Sequence, residues 1–187
     1  MFQRLLPVFC LVCLTTLAIG QEANRFADTW TEPSTGAHYE KLGEYRYVYK
    51  YFFKLYDVVL YVEAGADAEA VLNRSAGFHL EFRYLREIER SIILESADKM
   101  LAKNLTDEKR SAISDSVEAL NEVYQTVAKG DRSSLTYVPE NGTTFRLNGN
   151  AKLTIPSEKF AQDYFSIWLG ESPISADMKA TLLGKSI

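Results

Sequence analysis

A dense run of aromatic and β-branched residues indicates that the first half of the chain contains a sheet. Residues 45–62 are rich in Tyr, Phe, Val and Leu and contain no Gly or Pro, a composition typical of half-buried strands. The run is longer than an ordinary strand. We therefore expect either a bend near residues 50–53 or two consecutive strands.

Residues 78–84 alternate strictly between two classes of side chain. Successive side chains of a strand point to opposite faces, so this alternation predicts a strand with one face on a core. The residues predicted to face the core are Phe78, Leu80, Phe82 and Tyr84. The residues predicted to face water are His79, Glu81 and Arg83.

Two helical patterns follow this strand. Apolar residues recur at helical spacing from Ile88 to Leu105, which predicts one amphipathic helix. Thr106 is placed to cap a second helix whose apolar face continues to Val127, and Gly130 is expected to end it.

The last third of the chain predicts a β-meander and then a helical corner. Asn141-Gly142 and Asn148-Gly149 are turn sequences between short strand-like runs. In the corner, Gly170 is expected to end a helix at positive φ, and Ser175 to cap the next one. Strands, two helices, strands and two helices in this order indicate an α+β fold, a large antiparallel sheet with helices packed on one face.

The first twenty residues have the pattern of a secretory signal peptide. Arg4 precedes an apolar run that ends in small residues, and the run is too short to span a membrane comfortably. We therefore predict a signal peptide at residues 1–20, a flexible polar leader at 21–36 and one domain at 37–187. Both cysteines lie inside the predicted signal peptide, so the mature domain is expected to be stabilised by its core and not by disulfides. It is also expected to be periplasmic or secreted, with no integral membrane segment.

Composition argues against several classes of function. The chain has 21 Lys and Arg against 25 Asp and Glu, a net charge of −4, and no basic cluster, which argues against nucleic acid as a partner. His79 is the one histidine outside residues 1–40. With no histidine pair or histidine next to a serine nucleophile, the sequence predicts no metal site, no cofactor and no catalytic triad.

Several motifs resemble those of secreted bacterial chalcone-isomerase-like domains. The most specific is the corner Trp168-Leu169-Gly170, followed by Pro173-Ile174-Ser175 and Leu182-Leu183-Gly184. The long strand at residues 51–61 and the strand-to-helix junction at residues 82–88 are similar to the same family. This resemblance extends from Leu42 to Gly184 and implies a large antiparallel sheet covered on one side by helices.

The same family includes a plant enzyme that cyclises chalcones and non-catalytic relatives that bind fatty acids, so the fold does not fix the function. The resemblance places Arg46 at the enzyme's arginine, although two residues too close to the next motif. It places Tyr56 at a strand threonine and Ile167 at a helix threonine. Most of the enzyme's polar set is therefore missing.

Three functional hypotheses follow. The first is a periplasmic, non-catalytic domain that binds an apolar ligand such as a fatty acid between sheet and helices. Its carboxylate would be held by the planar fork of Arg46, with Tyr56 and Lys54 extending the polar site. The second is an isomerase or lyase acting on a phenolic or enone substrate. The third is an envelope interaction module without a cavity.

Overall fold

The computed structural model describes residues 26–185, so the predicted signal peptide lies outside the described residues. Its centre is a seven-stranded antiparallel sheet whose strands follow one another in chain order. The strands are β1 (Thr29–Thr31), β2 (His38–Tyr49), β3 (Phe53–Glu63), β4 (Phe78–Tyr84), β5 (Arg132–Val138), β6 (Gly142–Leu147) and β7 (Asn150–Ile155). The helices are α1 (Ala68–Asn73), α2 (Arg90–Asn104), α3 (Asp107–Ala112), α4 (Ser114–Val123), α5 (Glu158–Tyr164), α6 (Ser166–Leu169) and α7 (Ala176–Leu182).

The long aromatic run forms a hairpin of two strands, β2 and β3, which confirms the second of the two alternatives. Its turn lies at Lys50 and Tyr51, both in the left-handed region with φ of 47° and 65°. The pairing of β2 with β3 shifts register twice, once at Leu42 and once at Leu55. Each extra residue is a β-bulge, which reverses the alternation of side chains beyond it.

The helices cover one face of the sheet, which we call the inner face. The prediction for β4 is confirmed there, because Phe78, Leu80, Phe82 and Tyr84 are all buried. Phe165 of the α5–α6 junction packs edge-on against Phe78, with ring centroids 4.7 Å apart. The helices thus form a second layer over a single core, as expected for an α+β fold.

The opposite face, which we call the outer face, is not simply exposed, and two predictions need correction here. His79 was expected to face water, but it is buried, and its ring is stacked on that of Trp30 at 3.7 Å. Trp30 belongs to β1, which pairs with β2. The residues assigned to a flexible leader therefore include an edge strand, and Phe26 is buried beside it. The sequence did not predict β1, because a three-residue strand in a polar context has no distinctive periodicity.

The helical region is also shorter and more broken than predicted. Helix α2 begins at Arg90, and Ile88 instead forms an antiparallel bridge with Val127. The second predicted helix is two helices, α3 and α4, separated at Ile113, and α4 ends at Val123. Thr106 does cap α3, accepting a hydrogen bond from the Lys109 backbone N–H. The predicted helix was too long because Val127 continues the apolar pattern of α4, although it is buried by the bridge to Ile88 and not by a helix.

In the C-terminal corner, Ser175 caps α7 as predicted and accepts from the Met178 backbone N–H at 3.2 Å. Gly170, however, has φ of −73°, so the prediction of positive φ is wrong. A Cβ on Gly170 would lie 2.5 Å from both Asn104 Oδ1 and the Ser166 carbonyl. Asn104 itself accepts from the Ser172 N–H and donates to the Ser172 carbonyl, both at 2.9 Å. Glycine is therefore required here for close packing against α2.

Within residues 26–185, no helix is both long and apolar enough to cross a membrane.

Helix α7 packs directly on the backbone of β2 at Gly43. A Cβ at this position would lie 2.0 Å from the Thr181 carbonyl oxygen and 2.9 Å from Leu182 Cα. These are backbone atoms of a packed helix, so they cannot rotate away.

We expect Gly43→Ala to lower the free energy of unfolding by about 2 kcal/mol or more, because α7 has to shift to admit the methyl group. Urea denaturation of this variant and of wild type measures the loss. Glu40→Ala, at an exposed position of the same strand, is the control and should change stability by less than about 0.5 kcal/mol. Equal stability of Gly43→Ala and wild type would show that α7 does not pack here.

Candidate functional site

Tyr56 lies on the inner face, buried between β3 and the helices. It pairs across the hairpin with Tyr47, whose ring centroid is 5.2 Å away. Its other side meets Phe82 edge-on at 5.3 Å. The Tyr56 hydroxyl is thus enclosed by aromatic side chains.

Three further buried tyrosines lie in the same layer, and together with Tyr56 we call them the tyrosine cluster. They come from separate elements: Tyr84 ends β4, Tyr124 follows α4 and Tyr164 ends α5. The Tyr84 hydroxyl and Ser133 Oγ are 2.8 Å apart. Tyr124 and Tyr164 lie near enough to perturb each other's pKa. Four tyrosine hydroxyls therefore lie in a largely apolar layer.

Every member of the tyrosine cluster has a raised pKa. Burial is the main cause for Tyr56, the neighbouring Tyr47 and Tyr84 add to it, and the side chain of Trp168 opposes it by hydrogen bonding. Burial also raises the pKa of Tyr84 to about 12, although the hydrogen bond to Ser133 lowers it. The pKa values of Tyr124 and Tyr164 rise, again chiefly through burial. At neutral pH these hydroxyls are uncharged and available as hydrogen-bond donors.

The sequence placed Tyr84, Tyr124 and Tyr164 on apolar faces but did not identify them as a group. A signal was present, because a tyrosine at a core position needs a partner for its hydroxyl, whereas a phenylalanine does not. Several core-facing tyrosines in one domain therefore indicate a polar site within the core. The distances between them depend on tertiary packing, which periodicity does not contain.

Lys54 is not near this cluster. Simple alternation placed Lys54 on the same face as Tyr56, but the bulge at Leu55 pairs Lys54 with Val48. Val48 follows Tyr47, so it belongs to the opposite face, and Lys54 turns with it. Its side chain is exposed at the end of the hairpin.

Arg46 also lies on the other side of the sheet. It pairs across the hairpin with Asp57, next to Tyr56 but on the outer face. Arg46 Nε donates to Asp57 Oδ1 at 2.7 Å, and an Nη donates to Oδ2 at 3.2 Å. The structure therefore does not bring Arg46, Tyr56 and Lys54 into one site. Whether any of them contacts a ligand stays a prediction.

Asp57 is the most buried charged group on the outer face, with a side chain that is 0% exposed. Besides Arg46, it accepts a hydrogen bond from Arg83 at 2.6 Å. Two guanidinium groups thus surround one carboxylate, which offsets its desolvation. Arg46 was predicted to bind the carboxylate of a ligand. In the structure, its guanidinium donates to both oxygens of the Asp57 carboxylate instead.

A cavity of about 520 Å³ opens on the outer face beside this ion network. Its lining includes Phe26, Trp30 and Tyr61, and the ion pair between Glu81 and Arg132 closes one side. The cavity is therefore lined by both aromatic and charged side chains, and it lies at the N-terminal edge of the sheet. The tyrosine cluster on the inner face offers the opposite combination, uncharged donors in an apolar layer.

Two positions bear on catalysis and on metals. Ile167, which the resemblance aligned with a hydroxyl of the enzyme, is buried with its apolar side chain in the core. Among residues 26–185, no three His, Cys, Asp or Glu side chains are grouped so that they could hold a metal ion.

An antiparallel sheet covered on one face by helices places this protein in the α+β class. The sequence model of the chalcone isomerase-like family matches residues 41–184, and the chain belongs to that family. The crystal structure of a fatty-acid binding protein from Arabidopsis thaliana is similar, with a TM-score of 0.58 and 13% sequence identity. The match covers 83% of this chain and 96% of the plant protein, and at this identity it shows the fold alone. Among curated proteins, none matches this chain.

The raised pKa values predict loss of stability at alkaline pH. A tyrosine ionises in the unfolded chain near its ordinary pKa of 10, whereas Tyr84 in the folded chain ionises at about 12. The contribution of burial is therefore complete below pH 10 and is lost as the pH rises from 10 to about 12. Tyrosinate absorbance and circular dichroism, recorded on the same samples, should show the cluster ionising only as the protein unfolds. Complete ionisation of every tyrosine with native dichroism retained would contradict this.

The ion network predicts a strong effect of neutralising Asp57. We expect Asp57→Asn to lower the free energy of unfolding by roughly 3 kcal/mol, because Arg46 and Arg83 then lose the negative charge that they share. Thermal and urea denaturation measure this. Asp98→Asn is the control, since Asp98 pairs with Arg110 but its side chain is 69% exposed, and its loss should stay below about 1 kcal/mol. Equal losses of stability in the two variants would show that burial of Asp57 does not make its ion network more important than an exposed ion pair.

Proposed function

We propose that this protein is a non-catalytic binding protein for an elongated apolar molecule with one oxygen-bearing head group, of the fatty-acid class. The ligand lies between the inner face of the sheet and the helices, with its head group at the tyrosine cluster. The proposal includes a location outside the cytoplasm, in the periplasm or secreted, which rests on the predicted signal peptide at residues 1–20.

The convergence of four tyrosine hydroxyls in an apolar layer carries this proposal. Binding sites for small apolar ligands are mostly hydrophobic and contain a few converging polar groups that fix orientation. Tyr56 and Tyr84 come from adjacent strands, and their ring centroids are 6.4 Å apart. Tyr124 and Tyr164 approach from the helical layer. The plant relative is described as a fatty-acid binding protein, which supports the choice of ligand class.

The proposed entry route for the ligand lies at the margin of the core, beside β2 and α2. Tyr45 and Tyr47 on the inner face of β2 are half-buried and pack against the core. Ile93 and Leu94 of α2 are half-buried apolar residues as well. Because Tyr47 contacts Tyr56, a chain that passes between β2 and α2 reaches the tyrosine cluster directly. The members of the cluster are themselves buried, so entry requires the helical layer to move outward.

Arg46 provides a contrasting head-group anchor that experiment can separate from the tyrosine cluster. A carboxylate on Arg46 would have to compete with Asp57, which already receives two of its donors. It would also lie on the outer face. An arginine anchor favours a ligand with a negative charge, whereas uncharged tyrosine donors bind a carboxylate, a carbonyl or an alcohol with less difference between them.

The test is calorimetric titration with a long-chain fatty acid and with the fatty alcohol of the same length. Tyr56→Phe and Tyr84→Phe each remove one hydroxyl and should lower affinity for the acid about 3- to 100-fold, the range for one neutral or charge-assisted hydrogen bond. The alcohol should bind wild type within about tenfold of the acid. Lipid extraction and mass spectrometry of protein from its native source identify the natural ligand.

Tyr137→Phe is the matched control, because Tyr137 is a buried inner-face tyrosine whose hydroxyl lies by the Arg74 carbonyl, away from the cluster. Its affinity should equal that of wild type. Arg46→Ala should also leave affinity unchanged in the fraction that remains folded. Loss of binding in Arg46→Ala with full binding in both cluster variants would move the head group to the outer face. Failure of wild type to bind either compound would refute the proposal.

A further inference from the structure

The turn between β2 and β3 carries an unusual concentration of exposed aromatic side chains. We call residues 49–54 the hairpin tip. In the part of the chain that the structure describes, six large apolar side chains are exposed, and four of them lie within the five residues 49–53 of this turn. They are Tyr49, Tyr51, Phe52 and Phe53. Tyr51 and Phe52 are 94% and 84% exposed, so almost their entire surface meets solvent.

The hairpin tip is also cationic. It contains Lys50 and Lys54 but no carboxylate. Lys50 Nζ lies 5.2 Å from the ring centre of Tyr49, and the guanidinium of Arg86 lies 5.3 Å from the ring centre of Phe53. The nearest acids along the chain on the hairpin are Glu44 and Asp57, and Asp57 is paired with two arginines.

The acids that follow Arg86 in the chain offset only part of this charge, since there are two of them against Lys50, Lys54 and Arg86. Glu87 and Glu89 follow Arg86 and are exposed. In α2, Glu95 is paired with Lys99 at 2.6 Å. The chain as a whole is acidic, with a net charge of −4, so the positive charge of the hairpin tip is opposite in sign to that of the whole chain.

The backbone of the turn has a conformation that Lys and Tyr rarely adopt. Lys50 and Tyr51 both have positive φ, a conformation that favours Asn and Gly. The same protein closes β6 and β7 with Asn148-Gly149, at φ of 51° and 79°. At the hairpin tip the chain carries a lysine and a bulky aromatic residue in a conformation that disfavours them. Folding alone does not account for this choice.

We propose that the hairpin tip is a docking site for a membrane surface that contains anionic phospholipids. Tyr51 and Phe52 enter the interfacial region, where aromatic side chains are most favourable, and Lys50, Lys54 and Arg86 contact lipid phosphates. A protruding tip with exposed aromatic residues fits a soft, penetrable surface better than a rigid protein pocket of fixed shape. This inference does not depend on the ligand proposed above.

The first experiment measures binding of protein from the soluble fraction to vesicles of pure phosphatidylcholine and of phosphatidylcholine with phosphatidylglycerol. Wild type should prefer the anionic vesicles, and added salt should weaken binding. The double variant Y51S/F52S should lose about tenfold or more for each aromatic residue. K50Q/K54Q should lose about fivefold for each lysine, and only on the anionic vesicles.

The controls alter similar residues elsewhere. L72S removes an exposed apolar side chain from α1, which follows the opposite end of β3. K129Q/K152Q makes the same change in net charge as K50Q/K54Q at two other exposed positions. Both controls should bind vesicles as wild type does. The fatty-acid affinity in solution should be unchanged in Y51S/F52S, which separates docking from ligand binding.

A local probe places the contact at the hairpin tip. In the variant F52W, tryptophan emission should shift to the blue on anionic vesicles and be quenched by lipids with brominated chains, beyond the quenching of Trp30 and Trp168 in wild type. Equal vesicle binding by wild type and Y51S/F52S would overturn the proposal, as would F52W emission that the brominated lipids do not quench. Absence of binding by wild type to either vesicle would also overturn it, and would leave a protein partner as the occupant of the tip.

Discussion

The register between β2 and β3 determines which functional groups of this hairpin lie on each face of the sheet. The extra residue at Leu42 and the extra residue at Leu55 each reverse the alternation of side chains. Between these two bulges, Tyr47 and Tyr56 point inward, and Arg46 and Asp57 point outward. A shift of one residue would place the charged pair beneath the helices and the tyrosines on the outer face. The inward position of Tyr56 and the outward position of Arg46 and Asp57 are therefore two results of one pairing.

The two faces of the sheet meet the cost of burying polar groups in different ways. On the outer face, charge is balanced by charge, and Asp57 is held by Arg46 and Arg83. On the inner face, the buried polar groups are uncharged hydroxyls, and Tyr84 is satisfied by Ser133. A buried ion pair resists rearrangement because loss of one partner leaves the other as an uncompensated buried charge. Hydroxyls can exchange partners at little cost, which makes the inner face the better place for a site that has to accept a ligand.

Much of the architecture could be predicted from the sequence. The core-facing residues of β4, the Asn148-Gly149 turn and the caps at Thr106 and Ser175 all depend on neighbours in the chain, and the structure confirms each of these predictions. The errors share a cause, since each depended on something distant. His79 looks like a surface residue until Trp30 covers it, and Gly170 looks like a left-handed cap until Asn104 approaches it.

The candidate site was predicted only in part for the same reason. Tyr56 was identified from the resemblance and does lie on the inner face. Arg46 was assigned to the same site from the resemblance, but it pairs with Asp57 and so lies on the opposite face from Tyr56. Lys54 was placed with Tyr56 by alternation along the strand, and the bulge at Leu55 that separates them is not visible in the sequence. The other tyrosines of the cluster come from β4, from the end of α4 and from α5. Their proximity follows from how the helical layer folds over the sheet, which local pattern does not specify.

The sheet has its strands in chain order, so every strand pairs with the one made just before it. Such a sheet can grow strand by strand during synthesis, although residues 85–131, which include α2, α3 and α4, have to be made between β4 and β5. The contact between α7 and Gly43 of β2 is the exception, because it joins the two ends of the domain. The last helix therefore closes the fold. A chain that lacks its final turns would retain local strand pairing but leave β2 without the helix that packs on it.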